Sequence, residues 1–260
     1  MRPTVFFLAA ALGLVSGCTT SYNPATEQTE SLLISTEREV EMGNSISRQV
    51  DKRYPPVRDP ELLARLDRIG QRIADVADRK DLVYQFGIIE EEEPNAFALP
   101  GGFVYVTTGL IKLVKSDDEL ASVLAHEVGH VTARHIAKKI QGQLGLQALQ
   151  ILAIAGGAAS RDPRAGQAVN LAVVSVLSAY SQQDEMQADR LGVRYLKAAG
   201  FDPNAAVTFL QRMQQHAFKQ PSHQFSYFRT HPFFGDRIQA ARKAATGQIH
   251  FDDYINTNTQ

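Results

Sequence analysis

Residues 119–135 read ELASVLAHEVGHVTARH, and the five residues His126-Glu127-Val128-Gly129-His130 within that run decide how the chain is read. A helix is predicted here. Ser116 offers an N-cap, Glu119 stands three residues on as the second half of a capping box, and the helical pattern continues to about Lys139. On a helix, positions i and i+4 share a face about 5–6 Å apart, so His126 and His130 can aim two imidazoles at one ion. Zinc accepts imidazole nitrogen at about 2.0–2.1 Å, and a catalytic zinc site keeps one position open for water. Glu127 lies about 100° further round the helix, placed to take a proton from that water without occupying the metal.

The surroundings sharpen this reading. Between Leu120 and Ala133, Glu127 is the only formally charged residue, so the helix is expected to be buried on most sides. A lone buried carboxylate costs several kcal/mol unless something compensates it, and the metal chemistry would. At ordinary residue frequencies the pattern arises by chance in roughly one chain in a hundred of this length. A third ligand must come from elsewhere. His135 is five positions beyond His130 and points away around the helix, so it fails on geometry as that ligand. The segment Asp184-Glu185-Met186-Gln187-Ala188-Asp189 is the best supply. Glu185 and Asp189 share a helical face, so one carboxylate can bind the metal while the other orients a ligating imidazole. Spacing alone does not separate this from a solvent-exposed acidic face.

Four blocks in order, Asn95-Ala96-Phe97-Ala98-Leu99-Pro100-Gly101-Gly102, LAHEVGH, Glu185-Met186-Gln187-Ala188-Asp189 and Thr230-His231-Pro232 with Arg237-Ile238, give a resemblance. The chain resembles the bacterial HtpX/BepA/LoiP-like zinc metallopeptidases, relatives of the CAAX-prenyl endopeptidase and of the mitochondrial Oma-type protease, over about residues 35–245. The resemblance implies a mainly α, α+β, zincin-like domain with a small antiparallel sheet beside the HExxH helix. It implies one zinc ion held by His126, His130 and Glu185, with Glu127 as catalytic base and Asp189 behind the ligands. It also suggests that His231 can occupy the fourth zinc position and hold the enzyme latent; a plain loop histidine before proline is the alternative. Arg237 would stabilise an oxyanion or simply pair with a nearby acid. Asn95 and the run Gly101-Gly102-Phe103-Val104 would bind substrate, with 103–106 as an edge strand to which an extended peptide adds; a sheet strand serving only the core is the alternative.

The rest of the chain fits an exported protein. With 260 residues, 44% hydrophobic and 21% charged, it can bury one sizeable core and is neither disordered nor polytopic. Lys plus Arg (27) nearly balances Asp plus Glu (28), which argues against a nucleic-acid partner. Arg2 and the apolar run Val5 to Val15 form a signal segment over 1–17, ending in Val15-Ser16-Gly17-Cys18. That ending resembles a bacterial lipoprotein cleavage box, so the single cysteine is expected to carry acyl chains that anchor the protein to a membrane. Thr19 after it favours, by resemblance, the periplasmic face of the outer membrane. Residues 18–34 are drawn as lipidated N-terminus and polar tether, 35–246 as the metallopeptidase domain and 247–260 as a tail.

Within the domain, capped helices are predicted over 36–52 (Thr36 and Glu39 as a capping box), after Asp59-Pro60, over 181–199 and near 235–245. Strands are expected at 83–89 and 103–107. Two Ala-rich stretches, 144–159 and 167–180, are each shorter than the ~20 residues a membrane helix needs and are read as a helical hairpin covering the site. No internal repeat is apparent, so the layout is nearest the short lipoprotein members. The expected function is a zinc endopeptidase acting on misfolded or misassembled envelope proteins, an activating partner being unidentified. The competing readings are a latent or non-catalytic chaperone and a zinc amidase of cell-wall peptides.

Overall fold

A computed structural model describes residues 19–142, 178–219 and 226–247. The signal segment, Cys18, most of the Ala-rich pair and the tail after Gly247 lie outside the described residues. What is described is a mainly helical α+β fold. In order it holds strands β1 (Thr19–Asn23) and β2 (Gln28–Leu32), helices α1 (Thr36–Arg53) and α2 (Pro60–Ala74), and strands β3 (Gln85–Ile89), β4 (Ala96–Leu99) and β5 (Phe103–Thr107). Helices α3 (Thr108–Leu113), α4 (Asp117–Thr132) and α5 (135–142) follow, then α6 (Gln182–Ala198), α7 (Asn204–Lys219), α8 (Tyr227–Thr230) and α9 (Phe234–Ala245).

The three-stranded sheet runs in the order β3-β5-β4, with β5 parallel to β3 and antiparallel to β4. It is therefore mixed rather than antiparallel, and Phe103-Val104 lie on its central strand, not an edge. The cause is β4, which the pattern reading missed. Its four residues are all buried, so they show no alternation, and prolines flank them closely. A short 3-10 turn, Pro100–Gly102, reverses the chain between β4 and β5. Gly101 sits there at φ 77°, and a Cβ on it would stand 2.5 Å from the Cα of Val40 on α1.

Two further expectations are corrected at the N-terminal side. Residues 19–30 are no free tether: β1 and β2 pair antiparallel from Thr19↔Leu32 to Asn23↔Gln28. The hairpin docks because buried Asn23 donates to the Thr132 carbonyl at 3.0 Å, at the end of α4, and to Glu30 Oε1 at 3.2 Å. Helix α1 is capped by Ser35, whose Oγ accepts from the Arg38 N–H, rather than by Thr36. Glu39 serves no capping box; it is buried between Arg79, at 2.7 Å, and Arg134. Asp59 caps α2 as predicted, accepting from the Glu61 and Leu62 N–H groups.

Helices α4 and α6 touch backbone to backbone. A Cβ on Gly129 would lie 2.8 Å from the Ala188 carbonyl oxygen, and one on Gly192 would lie 3.1 Å from the His126 nitrogen. This closeness carries the acids of α6 to the histidines of α4. Gly129→Ala should force the helices apart at a cost of about 1–3 kcal/mol, the range for overpacked interiors. A thermal melt of the chelator-treated protein reads that loss; an unchanged melting temperature would mean that the contact is slacker than the distances say.

Helix α4 stops at Thr132 rather than running to Lys139. Arg134 takes the left-handed conformation (φ 56°) and helical geometry resumes at 135. The Arg134 side chain is held by Glu39 and by the Ile34 carbonyl, which fixes this turn. Residues 178–180, expected as the end of the second Ala-rich helix, are not helical, and Ser181 is the N-cap of α6.

Candidate active site

Ligand atoms of His126, His130, Glu185 and His231 lie within 4.8 Å of one another, and all four residues are buried. His126 Nε2 is 3.0 Å from His130 Nε2 and 3.3 Å from His231 Nδ1. Glu185 Oε1 is 3.4 Å from His130 Nε2 and 3.0 Å from His231 Nδ1; Glu185 Oε2 is 3.6 Å from His126 Nε2. Ligands at about 2.0–2.1 Å around a tetrahedral zinc are separated by about 3.3 Å. The four residues thus present ligand atoms at the spacing of such a shell.

Charge gives an independent test of fit. With the carboxylates ionised and the histidines neutral, as ligating imidazoles must be, Glu127, Glu185 and Asp189 set three negative charges against the one positive charge of Arg237, and all four side chains are buried. A divalent cation would neutralise the remaining two. Glu127 has no exposed surface, and neither of its oxygens has a hydrogen-bond partner among the described residues. His231 Nε2, at 3.4 Å, is a near neighbour of Glu127 Oε1. A carboxylate left so bare is costly and marks a place where chemistry rather than stability sets the residue.

The elements behind the ligands hold them in place. Asp189 Oδ1 stands 2.8 Å from His126 Nδ1, so the acid expected behind the ligands does face one of them. Arg237 binds Asp189 through Nε and Nη2 at 2.7 and 2.9 Å, Glu185 through Nη1 at 2.5 Å, and the His231 carbonyl at 3.2 Å. Every guanidinium nitrogen faces one of these partners. Of the two readings of Arg237, the geometry is that of pairing with acids, and an oxyanion would find no nitrogen free. Burial works to raise the Glu185 pKa, but the Arg237 and His231 charges beside it hold the carboxyl well below its usual range. Asp189 is lowered in the same way, Arg237 and His126 outweighing burial. Burial, with His126 alongside, pushes His130 well below the ordinary imidazole value.

His231 reaches the site on the segment 226–231, which is tied to the start of β4: the Tyr227 N–H donates to the Pro94 carbonyl at 3.2 Å, and Thr230 Oγ1 donates to Asn95 Oδ1 at 3.3 Å. Asn95, expected to meet substrate, is fully buried and engaged in this tie and in accepting from the Ala96 N–H. Gly101, Gly102, Phe103 and Val104 are also buried.

Sequence reasoning missed Tyr180, Tyr227 and His135. Tyr180 stacks on the His130 ring at 3.9 Å and Tyr227 on His231 at 4.4 Å. His135 Nδ1 is 2.8 Å from His130 Nδ1. The left-handed turn at Arg134 swings it back; no residue type in that stretch announces the turn.

A helix carrying His-Glu-x-x-His, joined by a glutamate from a later helix, defines a metallopeptidase of the zincin type. The chain belongs to peptidase family M48, whose family model matches residues 60–245. Among its relatives, the beta-barrel assembly-enhancing protease of Escherichia coli (strain K12) is 32% identical over 218 residues, covering 82% of this chain and 45% of that protein. The mitochondrial metalloendopeptidase OMA1 of Schizosaccharomyces pombe is 37% identical over 174 residues, covering 67% of this chain and 50% of that protein. The metalloprotease LoiP of Escherichia coli (strain K12) is 29% identical over 182 residues, covering 70% of each. The chain thus spans about half the length of the first two.

Proposed function

We propose that the protein is a zinc-dependent endopeptidase of the bacterial cell envelope that cleaves misfolded or misassembled proteins. The observation that carries this is the bare Glu127 carboxylate beside four convergent ligand atoms. His126, His130 and Glu185 would hold the zinc ion, which when bound lowers the pKa of water toward ~7 and polarises a carbonyl. Glu127 accepts the water proton at a carboxylate oxygen and returns it to the leaving amine nitrogen. Asp189 accepts from His126 Nδ1 and keeps the other nitrogen turned to the ligand cluster. The envelope location rests on the lipoprotein-like Cys18 box and on the beta-barrel assembly named for one bacterial relative. A lipidated Cys18 would supply a membrane anchor; no described helix is long and apolar enough to cross a membrane.

An extended substrate needs a sheet edge, and with β5 central that edge falls to β4, which packs against α4. Ala96, Ala98 and Leu99 have no exposed surface, and segment 226–231 is tied to Pro94 and Asn95 where β4 begins. The segment that carries His231 to the ligand cluster therefore also closes the approach to β4. This favours a latent form in which His231 takes the fourth ligand position. His231→Ala should raise casein cleavage on the order of tenfold, as expected when a minor competent state becomes the dominant one. A chelator should abolish both basal and raised activity. Chelator-resistant cleavage would overturn the zinc reading, and a fall to zero in the variant would give His231 a part in the reaction instead. Casein left intact by both proteins, with cell-wall peptides cleaved, would favour the amidase; no cleavage of either would favour the chaperone.

A further inference from the structure

We propose that His135 is the positioning residue for the second ligand imidazole, fixing the tautomer and aim of His130 as Asp189 does for His126; this rests on the metal-site reading above. Two like atoms, His130 Nδ1 and His135 Nδ1, face each other at 2.8 Å. One must carry the hydrogen and the other must not. The far side of His135 decides which. Its Nε2 is 2.8 Å from Gln187 Oε1 and 3.5 Å from Asp184 Oδ1. The Gln187 oxygen and the ionised Asp184 carboxylate both only accept, so both call for a hydrogen on Nε2, and Asp184 does so whichever way the glutamine amide is turned.

A neutral imidazole carries one N–H, so His135 Nδ1 is then bare. It accepts from His130 Nδ1–H, and His130 Nε2 is left with its lone pair facing His126 Nε2 at 3.0 Å and Glu185 Oε1 at 3.4 Å. The opposite tautomer of His135 would put a hydrogen on His130 Nε2, aimed into the ligand cluster. The two ring planes stand 70° apart with centroids at 5.0 Å, an edge arrangement that suits the bond. A neutral acceptor also suits the site's charge. Three carboxylates already face one guanidinium there, and an imidazole orients His130 without adding a fourth.

The direct test is long-range proton–nitrogen NMR of the histidine rings in the full zinc-loaded chain at neutral pH. His135 should be neutral with its hydrogen on Nε2, and His130 should carry its hydrogen on Nδ1. A hydrogen on His135 Nδ1, whether in the neutral or the doubly protonated ring, would overturn the proposal. Zinc affinity by chelator competition gives a second readout. His135→Phe should weaken binding 10–100-fold, the usual loss on removing such a partner, while His135→Asn, whose Oδ1 can replace Nδ1 as acceptor, should stay within about threefold of wild type. A Phe variant that binds as tightly as wild type, or an Asn variant as weak as Phe, would contradict the assignment. Should the Phe variant not fold, the ring hydrogens of the wild-type protein decide. Wild-type protein that binds no zinc would refute the underlying metal site, a failure distinct from zinc binding that ignores His135.

Discussion

Glu127→Gln should keep its zinc and lose peptide cleavage by about 10²- to 10⁴-fold, the range for removing a positioned proton-transfer group. The substitution changes one oxygen to an amide nitrogen in a space with no exposed surface, and Glu127 is not among the four convergent residues. Metal retention and chemistry should therefore separate. Stability should hold or rise, because a buried carboxylate without a hydrogen-bond partner is replaced by a neutral group. Turnover of a casein or fluorogenic peptide substrate, with metal content measured on the same sample, checks both halves. Near-normal cleavage, or a variant purified without metal, would contradict the role given to Glu127.

Glu185→Gln should fail differently. Glu185 is at once a ligand candidate, the partner of Arg237 Nη1 at 2.5 Å and the neighbour of His231 Nδ1 at 3.0 Å. Loss of one member of a buried ion pair costs about 3–5 kcal/mol; with Asp189 still bidentate on Arg237, the lower end is expected. Zinc affinity should fall by at least the 10–100-fold typical of losing an outer partner, since a ligand itself is altered. Denaturant titration and chelator competition measure the two losses. A variant of wild-type zinc affinity would show that Glu185 is no ligand.

The part of the site on one helix was legible in the sequence because His126, Glu127 and His130 relate through local helical geometry. Glu185 was not legible from spacing: its distance from α4 depends on Gly129 and Gly192 letting two helices meet, and only the family resemblance pointed to it. His135 was misread because a helix was assumed to continue through Arg134, where a left-handed residue instead turns the chain back. The docked N-terminal hairpin escaped notice for a related reason. It is anchored by buried Asn23 reaching the end of α4, by Lys138 on Glu30 and by Arg190 on the Ala25 carbonyl, and a polar composition hides such contacts. The edge role given to Phe103-Val104 failed because β4 is too short and too fully buried to show a strand period.

The most direct measurement is anomalous X-ray scattering at the zinc edge from crystals of the protein grown with zinc. One strong peak is expected, within bonding distance of His126 Nε2, His130 Nε2 and the Glu185 carboxylate. Well-ordered side chains at these positions with no peak between them would contradict the metallopeptidase site.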